Sequence, residues 1–120
     1  MQNQFEKLAV WKKTHKLVLL IYKLTSKFPS IEKFSLTDQL RRATISVVAN
    51  IVEGNIRQSK KEFLQFLYIS KGSLEEVKYY LLLSRDLKYM SEIDYLEVQE
   101  LANECGKIIS GFIKYLKSKV

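Results

Sequence analysis

Backbone breakers are almost absent from this 120-residue chain: one proline, Pro29, and four glycines, Gly54, Gly72, Gly106 and Gly111. Sheets of short strands need turn residues every 8–12 positions or so. Without them, the 47% of residues that are hydrophobic must find their core through long helices. The length suits one domain spanning residues 1–120. Folding such a chain buries roughly two-thirds of its unfolded surface, so no cofactor is needed to hold it together.

Four start signals divide the chain. A capping box places a small polar side chain at the N-cap and an acidic or amide one three residues on, satisfying two orphaned backbone N–H groups. The pairs are Asn3/Glu6, Ser35/Asp38, Ser59/Glu62 and Ser91/Asp94. Each precedes an apolar run at helical spacing. The predicted helices cover about 4–26, 36–56, 60–88 and 92–117, the first stopped by Phe28-Pro29. Short connections make consecutive helices antiparallel neighbours, hence an all-α, up-down-up-down four-helix bundle.

The apolar stripes assign faces. On the first helix Leu8, Trp11, His15, Val18 and Tyr22 form one stripe, and Val10, Leu17, Ile21, Leu24 and Phe28 a second. On the second helix Leu36, Leu40, Ala43, Val47, Ile51 and Gly54 share a face, with Ile45, Val48, Val52 and Ile56 well removed from it. The third helix carries a heptad-like seam, Phe63, Leu67, Ser70, Leu74, Val77 and Leu81, with Phe66, Ile69, Tyr80, Leu83 and Leu87 on another side. Gly72, between Ser70 and Ser73, suggests a close approach of helix backbones. On the fourth helix Leu101, Cys105, Ile108, Phe112 and Tyr115 point inward, supported by Val98, Ile109 and Leu116. Two apolar stripes on each of the first two helices exceed what one four-helix core requires, and predict self-association.

Catalytic and metal-binding patterns are missing. Carboxylate-bridged metal sites in bundles use Glu-x-x-His pairs, and the chain has one histidine, His15, with no Glu at that spacing before it. One Cys and one His do not make a zinc site. The glycines never cluster into a phosphate loop. Cys105, on an apolar stripe, reads as a reduced core thiol in a cytoplasmic protein, and the N-terminus lacks a secretory pattern. No run approaches a membrane span. One polar sector of the second helix, Arg42, Ser46, Asn50 and Glu53, reads as a hydrogen-bond network or subunit interface, with Ser73 and Glu76 on the third helix joining it. A small-anion site there is the alternative. The reading is therefore non-enzymatic, with no cofactor and no small-molecule substrate.

The charge is uneven. Residues 1–60 hold eleven Lys/Arg against four Asp/Glu, while residues 61–120 hold nine of each, so the whole +7 sits in the first half. Such asymmetry points to an anionic partner, nucleic acid foremost, although a solvated basic face accounts for the same composition. Lys12, Lys13, Lys16, Arg41, Arg42, Arg57 and Lys60 are the candidate phosphate contacts. They would be tolerant of sequence and weakened by salt. A protein–protein scaffold whose basic face docks an acidic partner is the rival.

The centre of the chain resembles a known family. Phe28-Pro29, then Phe34-Ser35-Leu36-Thr37-Asp38-Gln39-Leu40-Arg41-Arg42-Ala43, and Ser46 through Gly54 are similar to the bacterial 23S rRNA intervening-sequence proteins. Arg57, Phe63, Phe66-Leu67 and Gly72-Ser73-Leu74-Glu75-Glu76 continue the likeness. Val48 departs from it, standing where the family usually has proline, which implies a straighter second helix. The resemblance implies a four-helix bundle without an assigned biochemical activity. The family is similar in turn to the accessory variability determinant of diversity-generating retroelements, a pentameric barrel with a basic, nucleic-acid-binding surface. By that analogy the expectation is a homopentameric ring that binds RNA or DNA.

Overall fold

A computed structural model describes residues 1–120. It contains four α-helices and no strand: α1 (Ala9–Thr25), α2 (Leu36–Ile56), α3 (Lys60–Asp86) and α4 (Glu92–Lys117). Two short 3-10 turns, Gln4–Lys7 and Ser30–Glu32, flank α1. The molecule measures 45 × 26 × 23 Å. At 1.5 Å per residue the 27 residues of α3 account for about 40 Å of the long axis.

The core is one cluster drawn from all four helices. Leu17, Ile21, Leu40, Ile51, Leu67, Leu74, Leu81 and Ile109 are its largest fully buried members. The predicted inner face of α2 is wholly buried, from Leu36 to Gly54. On α1 the stripe Val10, Leu17, Ile21 and Leu24 enters the core, while Trp11, His15 and Val18 remain half-buried and Tyr22 is exposed. The α4 stripe needs correcting. The core positions are Tyr95, Val98, Ala102, Cys105, Ile109, Ile113 and Leu116, whereas Leu101, Ile108 and Phe112 lie at its margin and Tyr115 is exposed. The true stripe is rotated by about one residue, or 100°, and the mixed apolar content of this helix hid that offset.

The first helix is shorter than predicted. Asn3 and Glu6 do pair, Asn3 N–H donating to Glu6 Oε2 at 2.6 Å, but they open only the Gln4–Lys7 turn. Leu8 is then extended (ψ 130°) before α1 begins at Ala9. That break lets Phe5 fold back to 5.5 Å from Trp11, which stacks on His15 at 4.7 Å. At α2 the Ser35/Asp38 box does not form. Glu32 takes its place: Oε1 accepts from Ser35 Oγ at 2.5 Å and from Leu36 N–H at 3.3 Å. Asp38 turns instead to Arg42. At α3 and α4 the N-cap serines perform as predicted, Ser59 Oγ accepting from Glu62 N–H and Ser91 Oγ from Asp94 N–H.

Helix α3 ends at Asp86, two residues before the predicted limit. Lys88 adopts φ 63°, and the N–H groups of Lys88 and Tyr89 return to the carbonyls of Arg85 and Ser84. A left-handed residue closes the helix here as glycine commonly does elsewhere.

Helices α2 and α3 form the most extensive pair. Small residues set their separation. Ser70 Oγ donates to the Val47 carbonyl at 2.7 Å, and Ser46 and Ser73 bond at 2.9 Å. A Cβ on Gly54 would lie 2.7 Å from Phe63 Cδ1 and 2.9 Å from Phe66 Cβ. Gly54 is thus the close-approach glycine. Gly72 is not: it faces outward, with nothing within 4 Å of where its Cβ would be.

Candidate nucleic-acid interface

The seven candidate basic residues separate into two groups. Lys12, Lys13 and Lys16 project from the first half of α1, Arg57 follows the end of α2, and Lys60 opens α3. Arg41 and Arg42 lie in the second turn of α2, where Arg41 reaches Tyr22 and Thr25 near the end of α1. Arg41 and Arg57 are sixteen residues apart, about 24 Å along the helix. A single rigid patch is therefore not what the protein presents.

Ion pairing sorts the set further. Lys13 Nζ meets Glu104 Oε2 at 3.2 Å, Arg42 Nε meets Asp38 Oδ2 at 2.9 Å, and Arg57 meets Glu53 at 2.6 Å and Glu62 at 3.9 Å. Lys12, Lys16, Arg41 and Lys60 form no ion pair. Of these, Lys12, Lys16 and Lys60 stand in solvent. Arg41 is half-buried, its guanidinium 4.4 Å from the Tyr22 ring centroid and its Nε donating to Thr25 Oγ1 at 2.8 Å. Cation–π contact and hydrogen bonding hold that side chain in place without neutralising it.

The polar sector of α2 does not act as one network. Arg42 is 74% exposed and bound to Asp38, so it stands outside the hydrogen-bond network within this chain. Asn50 Nδ2 donates to the Ser46 carbonyl at 2.8 Å and to Ser46 Oγ at 3.1 Å, and Ser46 continues to the buried Ser73. Glu53 belongs to Arg57, and Glu76 is exposed on α3. Only Ser46, Asn50 and Ser73 are linked. Positions eleven residues apart share a face, but three helical turns keep Arg42 and Glu53 from meeting.

Cys105 is fully buried, and desolvation pushes its thiol up to about 12, against a smaller opposing pull from Lys13. No group of three or more metal-ligating side chains occurs, and no helix is long and apolar enough to cross a membrane. Reading from the sequence missed Glu32. Its carboxyl is held below the usual range by Ser35, then by Tyr89 and the Leu36 N–H, with Tyr89 Oη donating to Oε2 at 2.8 Å. No local pattern announces that bond, because Glu32 and Tyr89 are 57 residues apart.

Comparison with known proteins gives the same picture of the whole chain. A search of curated proteins found no match. Among solved structures, a protein of unknown function from the S23 ribosomal protein family of Bacteroides thetaiotaomicron VPI-5482 superposes with a TM-score of 0.82 at 26% identity. The match covers 88% of this chain and 99% of that one. The family model described as 23S rRNA-intervening sequence protein matches residues 6–111. With nearly all of the sequence and its four helices accounted for, the chain belongs to the 23S rRNA-intervening sequence protein family.

Proposed function

We propose that the protein is a non-enzymatic, oligomeric bundle of the cytoplasm that binds RNA or DNA through phosphate contacts. The observation that carries this reading is the uneven charge: residues 1–60 hold eleven Lys/Arg against four Asp/Glu, and among those cations Lys12, Lys16, Arg41 and Lys60 have no carboxylate partner. Each phosphate neutralised contributes about −0.9 to the slope of log affinity against log salt on duplex DNA. Four such contacts per protomer give a slope near −4. Electrophoretic retardation of structured RNA and duplex DNA at two salt concentrations tests it. Retardation at low salt that fades at high salt is expected, and its absence at low salt would end the proposal.

The protomer is proposed as an antiparallel up-down-up-down bundle. Meetings of Ser46 with Ser73 and of Gly54 with Phe63, on opposite progressions along α2 and α3, support that direction. A homopentameric ring is the proposed assembly. Support comes from the second apolar stripes of α1 and α2, where Ile45 and Ile56 are exposed and Val48, Val52 and Val18 half-buried. Sedimentation equilibrium checks it, five chains per particle being the expected result. The dispersal of Arg42, Asn50 and Glu53 onto separate partners supports the non-enzymatic reading.

One further observation favours a scaffold role as the second reading. Large apolar side chains are also exposed on α3 and α4, among them Ile69, Tyr79, Ile93 and Leu96. Capture of a protein partner that persists after nuclease digestion, with no retardation of nucleic acid, would replace the first reading by this one.

A further inference from the structure

The connection between α1 and α2 borders a small open depression of about 260 Å³. Its walls include Thr25, Ser26, Ser30, Lys33, Thr37 and Arg41, and no carboxylate. We infer that this pocket is a binding site for a phosphate group, held by Arg41, Lys33, the Thr37 hydroxyl and the first turn of α2. It goes beyond the surface contacts proposed above, because it is a formed concavity with its own donors.

Thr37 supplies the decisive observation. It is only 7% exposed. The other three buried threonines, Thr14, Thr25 and Thr44, each donate to a carbonyl four residues back. Thr37 sits in the first turn of α2, where no helical carbonyl lies behind it, and its hydroxyl makes no hydrogen bond within the protein. No fully enclosed side-chain oxygen or nitrogen lacks a partner, so the Thr37 hydroxyl opens into the pocket it lines. The rest of the side chain is buried, so the hydroxyl has only solvent or a ligand in the pocket to bond.

Backbone and charge point the same way. Ser35 does not cap α2 with its side chain. The Leu36 N–H is taken by Glu32 and the Gln39 N–H by the Ser35 carbonyl, while those of Thr37 and Asp38 have no such acceptor. Free N–H groups at the start of a 21-residue helix favour an anion. Arg41, one turn further on, is fixed by Tyr22 and Thr25 through Nε and Nη2, which leaves its Nη1 hydrogens for a ligand. Asp38 is drawn off to Arg42, and Glu32, which caps the helix start through Ser35 Oγ and the Leu36 N–H, turns its other oxygen to Tyr89 and does not line the pocket.

Titration of the whole protein with inorganic phosphate, against chloride at equal ionic strength and followed by amide NMR, tests the site. Saturable shifts centred on the Thr37 and Asp38 amides are expected with phosphate and not with chloride. Thr37→Val keeps the shape and removes the hydroxyl, and should weaken binding about tenfold, the effect of one hydrogen bond to a charged group. Arg41→Lys should weaken it further, and melting curves establish that both variants fold. Equal responses to phosphate and chloride, or unchanged binding by Thr37→Val, would overturn the assignment. A second arm adds an RNA oligonucleotide to the phosphate-loaded protein. Displacement of phosphate assigns the pocket to nucleic-acid phosphates, and retention assigns it to a free phosphate compound. Either result requires the pocket to bind, so it stands even where the nucleic-acid reading fails.

Discussion

Replacing Gly54 by alanine isolates what holds α2 and α3 at their present distance. In an exposed helix interior, Gly→Ala gains about 1 kcal/mol, mostly from reduced backbone freedom in the unfolded chain. At Gly54 the new Cβ would stand 2.7 Å from Phe63 Cδ1 and 2.9 Å from Phe66 Cβ, where carbon atoms prefer about 3.5–4.0 Å. The Phe63 ring can rotate, but Phe66 Cβ is tied to the α3 backbone, so the helices themselves must separate. Overpacking of this kind costs about 1–3 kcal/mol. Subtracting the helix gain leaves Gly54→Ala destabilised by about 1 kcal/mol, with a range of about 0–2. Gly72→Ala is the matched control, since its Cβ would meet nothing within 4 Å, and it should gain close to the full 1 kcal/mol. Urea unfolding of both variants beside the parent measures the difference, expected at about 2 kcal/mol. Two variants of equal stability would refute the close-approach argument, because the backbone term is common to both.

Lys88 occupies a left-handed position at the end of α3, so Lys88→Gly should stabilise the protein by about 1 kcal/mol, read as a raised melting temperature. Glu32 has a lowered pKa, owed first to Ser35, then to Tyr89 and the Leu36 N–H. Its contribution is therefore full above the ordinary carboxylate value of about 4.3 and is lost as pH falls through the lower folded value. Melting temperature should drop over that acid range in the parent, and Glu32→Gln should flatten that part of the profile. The Cys105 thiol, pushed up to about 12 by burial, should stay unreactive toward a thiol reagent near pH 8 and react fully once denaturant opens the core. Prompt modification of the folded protein would contradict its buried placement.

The sequence made the helices legible because breakers, serine caps and apolar spacing agreed with one another. Ser59 and Ser91 cap the helices they were expected to cap. The failures have physical causes. Asp38 is drawn to Arg42, one turn on, and Glu32 reaches the α2 N-terminus from the preceding loop, so the Ser35/Asp38 spacing is present without its bonds. Leu8 leaves the helical path, and the break brings Phe5 onto Trp11, a contact that no periodicity encodes. Gly54 and Gly72 both lie inside helices, and only tertiary packing separates the one pressed against Phe63 and Phe66 from the one in open solvent. For the basic site, residue types were readable but pairing was not: Lys13 meets Glu104 across 91 positions. The pocket at Thr37 depends on a missing internal bond, which no sequence pattern displays.

The intimacy of α2 and α3 also bears on the order in which the chain assembles. Only three residues, Arg57 to Ser59, separate the two helices, so their closure costs little chain entropy compared with bringing α1 to α4. Ser46, Ser70, Ser73 and Gly54 then let the pair dock backbone to backbone. This pair is the expected folding nucleus. In native-state hydrogen exchange its amides should be the last to open, with α1 and α4 detaching first as a cooperative unit.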